Sequence, residues 1–113
     1  MPTVSVVMAA KNYARFLPEA VESVVAQSFA DWELLVIDDG STDATPAAVR
    51  RYLADGRVRY FRADKLGQPR AKNLGIGLAR GEFVAFLDAD DAWETTKLDK
   101  QLAVFRDNSS VTP

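Results

Sequence analysis

The chain has 113 residues, 48% of them hydrophobic and 27% charged, enough for one globular unit with a single core. Its 14 basic and 16 acidic side chains leave a net charge of −2, which offers no basic field to nucleic acid or to an anionic membrane. Cysteine and histidine are both absent, so disulfides, zinc centres, Cys or His nucleophiles and a histidine general base are excluded, and any metal must be an oxygen-held ion such as Mg2+, Mn2+ or Ca2+.

Met1-Pro2-Thr3 runs straight into apolar sequence without the basic region and cleavage site of a signal peptide. No apolar run approaches the ~20 residues that span a bilayer. A cytoplasmic location is expected, at the inner face of the membrane for a longer form.

Val4 to Ala10 is nearly continuous in apolar residues and predicts a first strand buried on both faces. Pro18 to Val25 predicts a helix, with Val21, Val24 and Val25 on one face and Pro18 in the first turn. Glu33 to Ile37 is a second strand of the same buried kind. A second helix follows Ser41-Thr42 over Asp43 to Leu53, its stripe formed by Ala48, Val49, Tyr52 and Leu53, with Asp55-Gly56 as the stop. Val58 to Phe61 is the third strand. Arg70 to Ala79 is the third helix, carrying Ala71, Leu74 and Leu78 and closed by Gly81. Phe83 to Leu87 is the fourth strand, again buried on both faces by its pattern. Thr95 to Arg106 is the fourth helix, with Leu98, Leu102 and Phe105 inward, followed by a turn from Asp107 to Ser110 and a strand start at Val111 to Pro113.

The order βαβαβαβα predicts an α/β fold, a three-layer αβα arrangement around a mostly parallel sheet with right-handed crossovers. Residues 1–113 read as one portion of a longer architecture, with a sheet edge and apolar helix faces that favour dimerisation of the isolated chain.

In such a sheet, ligands bind outside the carboxyl ends of the strands. The residues just beyond those ends are therefore the candidates: Lys11-Asn12-Tyr13 after the first strand, Asp38-Asp39-Gly40-Ser41-Thr42-Asp43 after the second, and Asp88-Ala89-Asp90-Asp91 after the fourth. Arg70 and Lys72 stand on the first turn of the third helix, where its dipole also favours anions. Two carboxylates about 5 Å apart repel by roughly 3 kcal/mol at an effective dielectric near 20. Either water and a helix start absorb that charge, or a cation between Asp88 and Asp90 offsets it. Side chains two positions apart on an extended segment point the same way, so this pair can share a ligand while Ala89 packs inward. Mg2+ and Mn2+ are commonly held by one or two carboxylates, with diphosphate oxygens and water completing the shell. Asp38 and Asp39, beside Gly40, offer acceptors to a base N–H or to ribose hydroxyls. Asp91 reads as a cap, Asp43 as a first-turn helix acid, and Trp32 and Trp93 as packing residues. Gly75-Ile76-Gly77 precedes a strand instead of following one, so it is no dinucleotide fingerprint.

The stretches VSVVMAAKN, LLVIDDGSTD, GQPRAKNLGIGLARGEFVAFLDADDAW and KLDKQ resemble family 2 glycosyltransferases of the GT-A fold. The resemblance covers nearly the whole chain, in order and spacing. It implies a nucleotide-diphosphate sugar as donor, usually UDP-linked, with Mn2+ or Mg2+ bound through a DXD motif at Asp88 and Asp90. Asp90 is similar to the direct metal ligand, and Asp88 lies nearer the ribose and the metal's shell. Asp39 resembles the carboxylate that reads the uracil edge, with Asp38 beside it. Ala9 and Lys11 fall where the family contacts uracil through backbone and an aromatic ring. Asn12 matches the family, but Lys11 replaces the aromatic and leaves Tyr13 as the nearest ring. Lys72 stands where an Arg is common, and Thr95 where a Pro is frequent. The resemblance further implies a saccharide, lipid or protein acceptor whose hydroxyl is deprotonated by a carboxylate lying beyond Pro113, so no catalytic residue is expected within the chain. A receiver-type phosphoacceptor domain shares the length and the LVIDD run, but would want its acid pair after the first strand. A nucleotidyltransferase would want a glycine-rich basic loop near the N-terminus.

Overall fold

The computed structural model of the protein describes residues 2–107. Its elements are β1 (Val4–Ala10), α1 (Leu17–Val25), β2 (Trp32–Asp39), α2 (Thr45–Arg50), β3 (Val58–Ala63), α3 (Gln68–Leu78), β4 (Phe83–Phe86) and α4 (Lys97–Asp107). All pairings are parallel, in the order β3-β2-β1-β4. The chain steps outward from β1 to β2 to β3, then crosses back to the far side of β1. Right-handed crossovers place α1 and α2 on one face and send α3 to the other when the direction reverses.

The two cores follow this division. Val6, Met8, Ala10, Leu34 and Val36 pack against Leu17, Ala20, Val21 and Val24 of α1, Val49 of α2, and Leu98 and Leu102 of α4. The intervening residues Val7, Ala9, Leu35 and Ile37 pack against Ala71 of α3. β1 and β2 are buried along their whole length, as their unbroken apolar pattern predicts. α3 comes close to the sheet because Gly75 has no side chain: a Cβ there would stand 2.4 Å from Val7 Cγ1.

Three elements depart from the sequence reading. β4 was expected to be buried on both faces, yet Phe86 is 46% exposed and Val84 also faces solvent. β4 pairs only with β1 among the described residues, and α3 lies over β1 and β2, leaving that face of β4 uncovered. α2 is shorter than predicted, because Asp43 Oδ1 takes the Thr45 amide (2.9 Å) and delays the helix start. Beyond Arg50 the chain tightens into i→i−3 bonds, Tyr52 to Val49 and Asp55 to Tyr52. α4 begins at Lys97, two residues later than expected, and is capped from a distance: Gln27 Oε1 accepts from the Leu98 amide at 3.0 Å while Gln27 Nε2 donates to Glu94 O. The turn expected from Asp107 onward and the strand start at Val111 fall at and beyond the end of the described residues, as does the side chain of Phe105. No described helix is long and apolar enough to cross a membrane.

A buried charge ties the amino ends of the strands together. Glu33 of β2 is 2% exposed and accepts from Ser5 Oγ (2.6 Å), the Arg80 amide (2.7 Å), Arg80 Nη2 (3.1 Å) and Arg59 Nη1 (3.1 Å). Burial pushes its pKa up, but the bonds from Ser5, Arg80 and Arg59 outweigh burial and hold it below the ordinary 4.5. A carboxylate with a lowered folded-state pKa contributes stability that is complete above its unfolded pKa and lost as pH falls through the folded value. Glu33→Ala is expected to cost about 3 kcal/mol at pH 7 by stripping a buried network of its anion. Glu33→Gln should lose less stability than the parent between pH 7 and pH 3. Urea midpoints at the two pH values measure both effects, and equal pH dependence in parent and Gln variant would refute the role.

Candidate functional site

Strand alternation sorts the carboxyl rim into two faces. Val7, Ala9 and Lys11 of β1 and its extension share the α3 side with Leu35, Ile37 and Asp39 of β2. Met8, Ala10 and Asn12 share the opposite side with Val36 and Asp38. Past β4, Leu87 and Ala89 are buried in the α1 core, and Asp88 and Asp90, in a turn, are exposed. Asp39, Ala9 and Lys11 therefore gather on one face, and Asp88 and Asp90 follow β4 at the same end of the parallel sheet.

A cavity of about 440 Å3 opens there, lined by Ala9, Ala10, Lys11, Tyr13, Asp39, Lys65, Gly67, Gln68 and Ala71. Asp39 is buried and anchors the β3–α3 loop: Leu66 N donates to Oδ1 at 2.7 Å and Gly67 N to Oδ2 at 2.9 Å. A carboxylate has about four acceptor positions, so these two bonds fix the group and leave lone pairs for a ligand. Gly67 takes φ +84, a conformation that turns the chain abruptly into α3 and brings the helix start to the cavity.

Asp38, expected beside Asp39 at the ligand, turns the other way and is fully buried. It accepts from the Ser41 amide (2.9 Å), Tyr60 Oη (2.5 Å) and Arg62 Nη1 (3.5 Å). Burial, and then the bond to Asp38, push the Tyr60 hydroxyl pKa up, so it stays a donor to this carboxylate. Asn12, also expected at the ligand, is a clamp between loops. At φ +60 it accepts on Oδ1 from the amides of Thr42 (2.8 Å) and Asp43 (3.3 Å), while its own amide donates to Ser41 Oγ. Strand parity turns Asp38 away from the cavity toward Tyr60 and Arg62 of β3 and the Ser41 amide, while Asn12, two residues past β1, is held by the β2–α2 loop.

Arg70 and Lys72 do not line the cavity. Arg70 is exposed on α3, and Lys72 Nζ sits 5.7 Å from the Phe86 ring, which aims its ammonium toward the end of β4. Asp91 caps no helix; Ala92 N donates to it at 2.9 Å, and Asp91 N closes a turn onto Asp88 O at 3.0 Å. Trp32 is buried beneath Arg57, whose guanidinium carbon stands 3.9 Å from the ring centre, and Trp93 packs against the larger core. Sequence reasoning passed over Lys65. The Asp64-Lys65-Leu66-Gly67 turn after the third strand was the available signal.

β2 and β4 flank β1, so their carboxyl ends stand two strand spacings apart, roughly 10 Å. The site is therefore elongated: a cavity with one fixed carboxylate at one end, and a pair of exposed carboxylates at the other. The model of the family described as Glycosyl transferase family 2 matches residues 5–112. The chain belongs to that family.

An uncharacterized glycosyltransferase of Nostoc sp. is 39% identical over 110 residues, covering 96% of this chain and 34% of that protein. Among solved structures, Staphylococcus aureus TarS 1–349 in complex with UDP-GlcNAc superposes with a TM-score of 0.88 at 27% identity, over 95% of this chain and 32% of that one. The mannosyltransferase PcManGT of Pyrobaculum calidifontis, in complex with GDP-Man and Mn2+, gives 0.86 at 28% identity, over 92% and 32%. The chain thus spans about a third of the length of these relatives. The GT-A fold is shared with them. The order β3-β2-β1-β4 also separates this family member from receiver domains, in which β1 lies between β2 and β3.

Asn12 provides a direct check on the rim's construction. Asn12→Ala removes the clamp and puts an alanine in the left-handed region, for an expected loss of about 2 kcal/mol. Asn12→Gly removes the clamp alone and should cost about 1 kcal/mol less. Chemical denaturation of the two variants measures the difference, and equal losses would show that the left-handed backbone is not held as described.

Proposed function

We propose that this chain is the donor-binding portion of a glycosyltransferase that takes a nucleotide-diphosphate sugar, UDP-linked, with Mn2+ or Mg2+ at the DXD residues. The observation that supports the reading is the cavity at the carboxyl ends of the strands, where two backbone amides fix the buried Asp39 carboxylate, with the exposed Asp88 and Asp90 beyond β4 at the same end of the sheet. The base enters the cavity, where the fixed Asp39 carboxylate accepts its N–H. Tyr13 and Lys11 form one wall, and the α3 start forms the other. The diphosphate runs across the end of β1 toward Asp88 and Asp90, with the ammonium of Lys72 nearby.

The DXD pair fits a divalent ion bound together with a diphosphate. Asp88 and Asp90 are both exposed while Ala89 between them is 1% exposed, so two carboxylates can converge on one ion. No group of three or more Asp or Glu able to hold a metal occurs among the described residues. The protein alone thus offers an incomplete oxygen shell, as Mg2+ and Mn2+ require when phosphate oxygens supply the rest. When bound, the ion stabilises negative charge on the departing nucleoside diphosphate. UDP-GlcNAc in TarS and GDP-Man with Mn2+ in PcManGT support this reading. The acceptor is a hydroxyl compound, and the longer protein works in the cytoplasm.

Asp90→Ala is expected to remove the metal dependence of UDP binding while leaving the fold intact. Titration calorimetry with UDP, with and without Mn2+, reads it directly: Mn2+ should tighten UDP binding at least tenfold in the parent and leave the variant unchanged. A variant that still responds to Mn2+ would sink the metal assignment, and a parent that ignores UDP altogether would sink the donor site.

A further inference from the structure

Gln27, two residues past the end of α1, is 6% exposed, and its amide is engaged on both sides. Nε2 donates to Ser23 O at 3.0 Å and to Glu94 O at 2.6 Å, and Oε1 accepts from the Leu98 amide at 3.0 Å. Ser28 extends the clamp: its amide and its hydroxyl both donate to Thr95 O, at 2.8 and 3.0 Å. Burying a side-chain amide is costly unless its groups are satisfied, and capping α4 does not require one. Thr96 already stands at the N-cap position of that helix, where a threonine serves well, yet the bond to Leu98 comes from 71 residues away. The bond to Glu94 O lies outside the helix, in the segment that leads back to Asp88 and Asp90.

That segment, residues 88–96, contains no helix or strand. Ala89 is buried and Trp93 packs against the larger core, while the other side chains are exposed. Asp91 N closes the turn that carries the two carboxylates onto Asp88 O at 3.0 Å. Upstream, Leu87 and Ala89 fix this turn in the core; downstream, Gln27 and Ser28 hold the carbonyls of Glu94 and Thr95. The path between those anchors sets the separation of two like charges, which repel and spread where the chain is free to move. We propose that Gln27 is a positioning residue for the Asp88–Asp90 pair: by holding Glu94 O it fixes the downstream end of the segment and orders both carboxylates before a divalent ion and a diphosphate arrive. Ordering them in advance removes an entropy cost from ion binding. This rests on the donor-site reading above and adds no ligand to the ion.

Two measurements on the full chain test it. Gln27→Met keeps the side-chain length and removes all three bonds; Val21→Ala, on the buried face of α1, is a control that destabilises the fold without touching the segment. Amide nitrogen relaxation of the free protein should show lower order parameters for Asp88 to Asp91 in Gln27→Met, and parent values in Val21→Ala. In calorimetry well below the melting temperatures, Gln27→Met should bind uridine and metal-free UDP as the parent does. It should lose roughly tenfold of the Mn2+ enhancement of UDP binding, which Val21→Ala keeps. Parent-like order at Asp88 to Asp91, or a full Mn2+ enhancement in Gln27→Met, would overturn the proposal. Equal losses in Val21→Ala, or a fall in uridine affinity that matches the lost enhancement, would make Gln27 a purely structural residue and overturn it as well. A parent that binds UDP without responding to Mn2+ would instead defeat the metal assignment, and the relaxation data would still decide whether Gln27 orders the segment.

Discussion

Alternation of side chains along a strand is the constraint on which the rest of this structure depends. The sheet has helices on both faces, so each rim residue belongs either to the α1 side, which the β2–α2 loop closes over, or to the α3 side, which stays open. Asp38 and Asp39 are neighbours in sequence with opposite fates for this reason alone. One is sealed in with Tyr60, Arg62 and the Ser41 amide; the other lies against the cavity and holds the β3–α3 loop. Beyond β4, Leu87 and Ala89 are buried while Asp88 and Asp90 are exposed.

The two ends of the sheet manage charge differently. At the amino end Glu33 is buried and its cations, Arg59 and Arg80, are spent on it. At the carboxyl rim the cations of the open side, Lys11, Lys65, Arg70 and Lys72, have no described carboxylate within salt-bridge distance. Paired charges hold the amino end of the fold, whereas the cations of the open rim have no carboxylate partner among the described residues.

The rim is also where backbone strain is concentrated. Asn12, Gly40, Lys65 and Gly67 all have positive φ, and all lie in the loops that shape the cavity. Hydrogen bonds hold these conformations: Asn12 through its Thr42 and Asp43 contacts, and the Lys65–Gly67 segment through Asp39. Asp39 fixes that loop with two bonds and still lines the cavity, so the shape of the pocket depends on this one carboxylate.

The sequence by itself determined the class of fold, the order of elements and the residues at the strand ends. Those features are local: unbroken apolar runs in β1 and β2, helical spacing between strands, and the Asp-Ala-Asp alternation at 88–90 are set within a few residues. What only the tertiary structure decided involves partners far apart in the chain. No local pattern says that β4 returns beside β1, which leaves Val84 and Phe86 exposed despite a core-like sequence. The start of α4 depends on Gln27, 71 residues before the amide it caps. Asp38 and Asn12 carry the residue types of a binding site, and only the packed positions of Tyr60, Arg62 and the β2–α2 loop turned them to internal use. Lys65 reached the cavity because Asp39, on another strand, holds the two amides that follow it. Short-range propensities act before the chain has folded; these long-range bonds exist only once the sheet has brought its strand ends together.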